Sequence, residues 1–420
     1  MRSILSARIL EALSENADRI MLSDDRVAWT GAEILSRMRQ TQIESRTELG
    51  ERVEVSKSVG AEQALSILSI LASGRVPVFS DFNGIAPKGT ALVLRTSGST
   101  GEQKIVHVPE QGLLETVDYL INYFFLNEET KSPILLPISH SMAMNTQFLP
   151  TLLAGGRCHM TSARPGMFKA MSSFDSTFVS LIGEVLRVCW EEKNRRGLPP
   201  ASTVQHVQLA GGMITTCHIE FAKELFPQAM IHKGYGLTEA IRVAMISDCD
   251  SDFRSPSVGK PFPFLGVQIR DRAGKEVTNA FERGEIFVTG PTVALDSPNG
   301  ILATGDTGYW NDRGHLCIAN EVEQTALESS EVIRNAKSIA VDDKIVLLLE
   351  VSLGAQSLDL LRKISMRLAF TNQPPNEIAF MERFPRNPNG KIATAELKKR
   401  YLAGQKRSHP DLFTRSDLFF

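Results

Sequence analysis

Thr96-Ser97-Gly98-Ser99-Thr100-Gly101-Glu102-Gln103-Lys104 is the stretch on which the reading of this chain turns. It follows Ala91-Leu92-Val93-Leu94, a short apolar run that reads as a strand. Four small hydroxyl residues and two glycines leave the backbone free to curl around an anion. Amides and hydroxyls can then donate to phosphate oxygens, and Lys104 adds positive charge. A Ser/Gly run alone reads equally as a flexible loop. The strand before it and the lysine after it favour a phosphate cradle. It is not a Walker A loop, which needs Ser or Thr after the lysine; Ile105 stands there.

Upstream, Ala61 to Ser73 has helical spacing of Ala, Leu and Ile and stops at Gly74, and Val76 to Phe79 reads as a buried strand. Residues 1–85 thus run helix, short strand pair, helix, strand. Downstream, Gln111 to Phe125 is helical, Ile134 to Leu136 a strand and Ser180 to Arg195 helical. Val204 to Leu209 is a strand before the helix around Glu220. This rhythm predicts an α/β fold with a large N-terminal domain of mostly parallel sheets flanked by helices. Past about residue 255 comes a small β-rich part: Val267 to Ile269, Glu285 to Val288 and His315 to Ile318. A small α+β unit closes the chain, with strands at Lys344 to Val351 and Glu377 to Phe380 and helices at Leu358 to Phe370 and Ala395 to Tyr401. The boundary is expected near Asn311 to Asn320, giving domains 1–312 and 313–420.

Two domains suit 420 residues. With 42% hydrophobic and 22% charged residues the chain is neither fibrous nor disordered. A formal net charge of -2 gives no support for nucleic-acid binding. Arg8 and Glu11 break the apolar N-terminal run, and no stretch of about 18 apolar residues occurs, so neither a signal peptide nor a membrane span is expected. Cys158, Cys189, Cys217, Cys249 and Cys317 are widely spaced with no CxxC. A reducing, cytoplasmic setting with each thiol buried is the expectation.

Three further segments carry chemistry. In Gly234-Tyr235-Gly236-Leu237-Thr238-Glu239, Tyr235 can stack on a purine, Thr238 can bond a phosphate and Glu239 is a hard ligand suited to Mg²⁺; a plain turn with an exposed acid is the alternative. Thr304-Gly305-Asp306-Thr307-Gly308 reads as a Gly-bounded turn whose aspartate can take both hydroxyls of a ribose, or as an ordinary Asp turn. Phe384 to Ile392 holds Lys391 after a Pro/Asn/Gly turn, either as a solvated charge or to neutralise charge between a carboxylate and an α-phosphate.

In this order, the four segments resemble the adenylate-forming superfamily of acyl- and aryl-CoA synthetases, luciferases and peptide-synthetase adenylation domains. The resemblance covers about residues 50 to 402. It implies that Thr96, Ser97, Gly98, Ser99, Thr100, Gly101 and Lys104 hold the ATP phosphates, and that Tyr235, Gly236, Thr238 and Glu239 bind adenine, phosphate and Mg²⁺, with Thr100 a weaker metal ligand. It further implies Asp306 on the ribose, Lys391 as the catalytic lysine and the pair Gly211-Gly212 lining the acyl and adenine pocket. The small C-terminal domain is then a mobile lid that rotates between adenylation and thiol transfer.

The chain departs from that pattern after Asp306. Asp312 to Glu323 lacks the hinge motif, Gly314 is the one glycine left there, and Arg313 is at most a partial substitute for the ribose arginine. This weakens the expectation for the second half-reaction more than for the first, and leaves room for a thiol delivered on a carrier protein. The pocket segment, Pro137 to Gln147, offers His140, Ser141, Met142 and Met144 with Gly211 and Gly234 nearby, and no acid to pair with an α-ammonium. An aryl or fatty acid is therefore expected, with His140 at the pocket mouth or structural. Met142, Met144 and Phe148 are pocket wall or core. Lys398, Lys399, Arg400, Lys406 and Arg407 form a solvated helix face or a docking patch for a carrier protein or CoA. The tail after Gly404 packs on the body or on a second subunit, which would make a homodimer.

The leading expectation is an ATP- and Mg²⁺-dependent acid–thiol ligase, using CoA or a phosphopantetheinyl acyl carrier protein. The alternatives are an enzyme passing the acyl group to an amine or alcohol, and a non-catalytic nucleotide-binding scaffold.

Overall fold

The computed structural model describes residues 3–43, 52–55, 60–79, 86–96, 104–161, 166–212, 214–254, 256–271, 273–319, 326–327, 329–330, 332–341, 344–351, 359–361, 363–364, 375, 377–386, 392–405 and 412–414. The chain divides into two units. The larger comprises residues 1–96, 105–214 and 220–318, the smaller 97–104, 215–219 and 319–420.

In the larger unit, the helix Ile4–Glu15 starts at Ser3, whose hydroxyl accepts from the Ser6 amide at 3.1 Å. Leu5, Ile9, Ala12 and Leu13 line its buried stripe. The helix Ala61–Ala72 ends one residue before its expected stop and is buried on most sides, as its mostly apolar sequence after Gln63 favours. The strands Arg52–Glu54, Val76–Val78, Thr90–Thr96 and Lys104–Pro109 form one sheet in that order, the first three parallel. The segment 97–103, expected to cradle phosphate, lies between neighbouring strands in sequence and outside the described residues. A second sheet runs Ala28–Thr30, Ile20–Ser23, Arg157–Met160, Lys131–Ile134, parallel but for its first pair.

The third sheet has nine strands. Phe178–Leu181, His206–Leu209 and Met230–Leu237 are parallel. Ala240–Ser247 returns antiparallel, followed in the sheet by Ser257–Pro261, Leu316–Ile318, Ile301–Trp310, Gly284–Thr289 and Gly266–Arg270. The β-rich part is therefore continuous with the parallel strands, and the change of direction comes at Thr238-Glu239, earlier than the change of composition near residue 255. Ligands of open α/β sheets gather at the carboxyl ends of strands where the order changes. The segment Tyr235 to Glu239 sits at the carboxyl end of the last of these parallel strands, where strand direction rather than strand order changes.

The smaller unit contains the strands Ile333–Val341, Lys344–Val351, Glu377–Met381 and Leu412–Thr414, ordered as written. Period-2 alternation sends Leu347, Leu349 and Val351 into one buried cluster with Leu361 and Ile364, and Val346 and Leu348 into another with Leu397 and Tyr401. The helix Thr394–Gln405 covers the second face and leaves Lys398, Lys399 and Arg400 exposed. Lys406 and Arg407 lie outside the described residues, as does most of the expected helix Leu358 to Phe370; of the tail, Leu412–Thr414 pairs antiparallel with Glu377–Met381.

No helix among the described residues is long and apolar enough to cross a membrane. Cys158, Cys189 and Cys317 are buried, and burial pushes the Cys189 thiol up to about 12. The expectation of five buried thiols fails at Cys217, half-buried, and at Cys249, exposed in the turn after the strand Ala240–Ser247.

Candidate active site

Strands Met230–Leu237 and Ala240–Ser247 form a hairpin in which Leu237 faces Ala240, so Thr238 and Glu239 are its two-residue tip. The register shifts between Tyr235 and Leu237. A β-carbon at Gly236 would lie 2.7 Å from the Ile241 carbonyl oxygen, so glycine alone fits this close approach. The tip is half-buried on both residues.

Asp306 lies inside the ten-residue strand Ile301–Trp310, not in the expected turn. The strand carries the irregularity itself. Glu285 pairs with Thr307 and Phe287 with Ala303, so extra residues bulge at Thr304 to Asp306 around Gly305, whose φ is +73°. Thr304 Oγ1 donates to the Ile286 carbonyl at 2.8 Å and accepts from the Asp306 amide at 3.1 Å. The Tyr235 hydroxyl donates to Asp306 Oδ2 at 2.7 Å. Burial, then the Asp306 charge and hydrogen bond, raise the Tyr235 pKa, so the phenol stays protonated. The second and third motifs thus meet in one hydrogen bond.

A clip that the sequence does not signal ties this hairpin to the strand Lys104–Pro109. The Ala294 amide donates to the Glu239 carbonyl at 2.8 Å, and the Leu295 amide to the His107 carbonyl at 3.0 Å. Asp296 accepts from the His107 amide at 2.8 Å and lies 2.6 Å from its Nδ1. Asp296 stands in a polar surface run, and its pairing with a residue 189 positions away leaves no local signal.

The expected pocket segment is helical from Ser141, with His140 extended just before it and half-buried. Met144–Phe148 forms a π-helical turn, a form frequent at functional sites. Pro150 lacks the N–H that would bond the Thr146 carbonyl in an α-helix, a local reason for the widening. Met144 and Phe148 are core, while Met142 is half-buried, its sulfur 3.5 Å from where a Gly211 β-carbon would sit. Gly211 has φ +82° and is exposed with Gly212 at the carboxyl end of the strand His206–Leu209.

Beneath this segment lies a buried polar network. Gln208 Nε2 donates to Thr146 Oγ1 and to Ser180 Oγ, both at 2.9 Å. Asn145 Nδ2 donates to Ser141 Oγ at 3.1 Å. Arg242 Nη2 donates to Thr146 Oγ1 at 3.3 Å. Arg242 is 2% exposed, and Gly234 makes room for it, since a β-carbon there would sit 2.1 Å from Nη1. Sequence reasoning overlooked Arg242, although it is the one charge in the otherwise apolar run Ala240 to Ile246.

Arg313 does not serve as a ribose arginine. Its Nη1 lies 3.2 Å from Asp250 and 3.3 Å from Asp252, and that acidic pair holds it. With His315 these acids form the one three-ligand cluster among the described residues, with Arg313 as their cation. Glu239 fits Mg²⁺ in another way. It is a single half-buried carboxylate at a hairpin tip, and Mg²⁺ is commonly held by one or two carboxylates plus substrate phosphates. Thr100 and Lys391 lie outside the described residues. Around Lys391, Arg386 and Ile392 form an antiparallel bridge, and Arg386 Nη2 lies 2.9 Å from the buried carboxylate of Glu350. The residues on either side of the segment 387–391 are thereby tied together.

Two of the motifs that carry the resemblance thus lie in one place, those of Tyr235 and Asp306. The profile of the family described as "AMP-binding enzyme" matches residues 12–296, and the chain belongs to that family. A probable CoA ligase of Humulus lupulus (CCL5) is 24% identical over 350 residues, 74% of this chain and 63% of the relative. A long-chain-fatty-acid–CoA ligase of Escherichia coli O157:H7 is 26% identical over 263 residues, 58% of this chain and 46% of the relative. The chain thus spans roughly half to two thirds of the length of these relatives. In fold it resembles the amide bond synthetase McbA from Marinactinospora thermotolerans, with a TM-score of 0.78, 18% identity and coverage of 94% and 100% of the two chains. It also resembles the O-succinylbenzoate coenzyme A synthetase of Bacillus subtilis, with a TM-score of 0.76, 18% identity and coverage of 93% and 98%.

Proposed function

We propose that this chain activates an aryl or fatty carboxylic acid with ATP, forming an acyl-adenylate, and passes the acyl group to the thiol of CoA or of a carrier-protein phosphopantetheine. The observation that carries the proposal is the Tyr235–Asp306 hydrogen bond, which unites two motifs in a member of the AMP-binding family. The CoA ligase names of the relatives support the acceptor.

In this reading residues 1–312 bind both substrates and residues 313–420 act as the lid. Thr96 to Gly101 and Lys104 hold the phosphates, Tyr235 and Gly236 face the adenine, and Gly212 adjoins it. Asp306 takes the ribose hydroxyls while the Tyr235 phenol orients its carboxylate. His140, Ser141, Gly211 and Gly234 surround the acid, with Met144 in the core behind them. Mg²⁺, held by Glu239 and more weakly by Thr100, would neutralise phosphate charge. The carboxylate oxygen attacks the α-phosphorus and pyrophosphate leaves. Lys391 and Thr238 stabilise the charge that develops on the oxygens. A thiolate then attacks the acyl carbon and AMP leaves.

The test is pyrophosphate release with Mg-ATP across aryl and fatty acids, with and without CoA. Release that becomes multiple-turnover only with CoA supports a CoA ligase. A single burst that CoA does not change points to a carrier protein, an amine or an alcohol. No acid-dependent release with any acid would refute adenylation.

A further inference from the structure

Among the described residues Arg242 is a cation without a counter-ion: no carboxylate lies within ion-pairing distance, and the guanidinium makes one hydrogen bond, to the neutral Thr146 hydroxyl at 3.3 Å. Its buried Nε has no partner. Burial lowers its pKa to about 10, which leaves it charged at neutral pH. Buried charges are ordinarily paired, because removing an ion from water is costly.

The surroundings point the cation toward a ligand. Its Nη1 sits where a Gly234 β-carbon would be, and Gly234 is half-buried beside Tyr235. Thr146, its one partner, lies on the π-helical turn that follows Ser141 and Met142, and its hydroxyl donates to the Met142 carbonyl at 2.7 Å.

We propose that Arg242 recognises a second carboxylate on the acid, so that the substrate is a dicarboxylic acid whose far end pairs with this guanidinium. The inference rests on the adenylation reading. The reacting carboxylate is a poor candidate for the pairing. It must meet the phosphates near the Thr238-Glu239 tip, whereas Arg242 stands three residues along the return strand, about 10 Å away at strand rise. A guanidinium on the attacking oxygen would also blunt its nucleophilicity.

The test is ATP–pyrophosphate exchange by the full chain with matched acids: hexanoate against adipate, and benzoate against benzene-1,3-dicarboxylate. The expected result is a diacid preferred in kcat/KM by about a hundredfold over its monoacid, the scale of loss when a buried charge lacks its partner. Arg242→Met should abolish the preference while ATP still raises the melting temperature, and Arg242→Lys should keep part of it. Monoacids that match or exceed their diacids in the wild-type enzyme would overturn the proposal and leave adenylation standing. Absence of exchange with every acid would overturn both.

Discussion

The Tyr235 hydroxyl and the Asp306 carboxylate lie 2.7 Å apart, joining residues 71 positions apart in the chain. One sits beside a hairpin tip, the other on a bulged strand. The hydrogen bond fixes the orientation of the carboxylate read here as the ribose ligand. Tyr235→Phe keeps the ring and removes the donor. KM for ATP should rise roughly tenfold with a smaller change in kcat, as for loss of one hydrogen bond to a charged group. Steady-state kinetics with ATP varied checks this, and an unchanged KM would dissociate the tyrosine from the nucleotide.

Gly236→Ala places a β-carbon 2.7 Å from the Ile241 carbonyl oxygen and 2.9 Å from the Arg242 α-carbon. Backbone must move, at a cost of about 1–3 kcal/mol. A lower urea midpoint is the expected outcome.

Asp296 holds His107 while Ala294 holds Glu239, so Asp296→Ala should loosen the strand that follows the phosphate loop. Weaker ATP binding is expected, by about five- to tenfold, measured by titration calorimetry. Asp296→Asn, which keeps an acceptor, should recover part of it.

Acid should destabilise the larger unit through His232. Burial, and then the neighbouring His206, lower its pKa from 6.5 to about 3. The unfolded imidazole binds a proton between those values and the folded one does not, so stability falls as pH drops from 6.5 towards 3 and gains nothing above 6.5. The slope from one such group is about 1.4 kcal/mol per pH unit. His232→Asn should flatten it, read from urea midpoints at pH 7 and pH 5.

Much of this was legible in the sequence because it is local. The strand–helix rhythm and the turn within Gly234 to Glu239 each follow from spacing. Asp306 was legible as a residue but not as a conformation: its Gly-bounded context suggests a turn, whereas the pairing with the strand Gly284–Thr289 makes it a bulge. The Asp296 clip and the Asp250–Arg313–Asp252 grip form between distant segments, so no pattern in either segment announces them. Arg242 stood out only as a charge in an apolar strand, and its meaning comes from what the fold packs against it.

Lys391→Ala should abolish adenylation while ATP binding survives. An acid-dependent exchange assay paired with nucleotide titration checks both halves, and near wild-type turnover would remove Lys391 from its role.

The central claim is the acyl-adenylate itself, tested most directly by turning over an accepted acid labelled with ¹⁸O in its carboxylate. Attack of a carboxylate oxygen on the α-phosphorus carries one ¹⁸O into the phosphate of AMP once the acyl group is transferred. Mass spectrometry should find singly labelled AMP and unlabelled pyrophosphate. Unlabelled AMP, or ADP with labelled inorganic phosphate, would contradict the account.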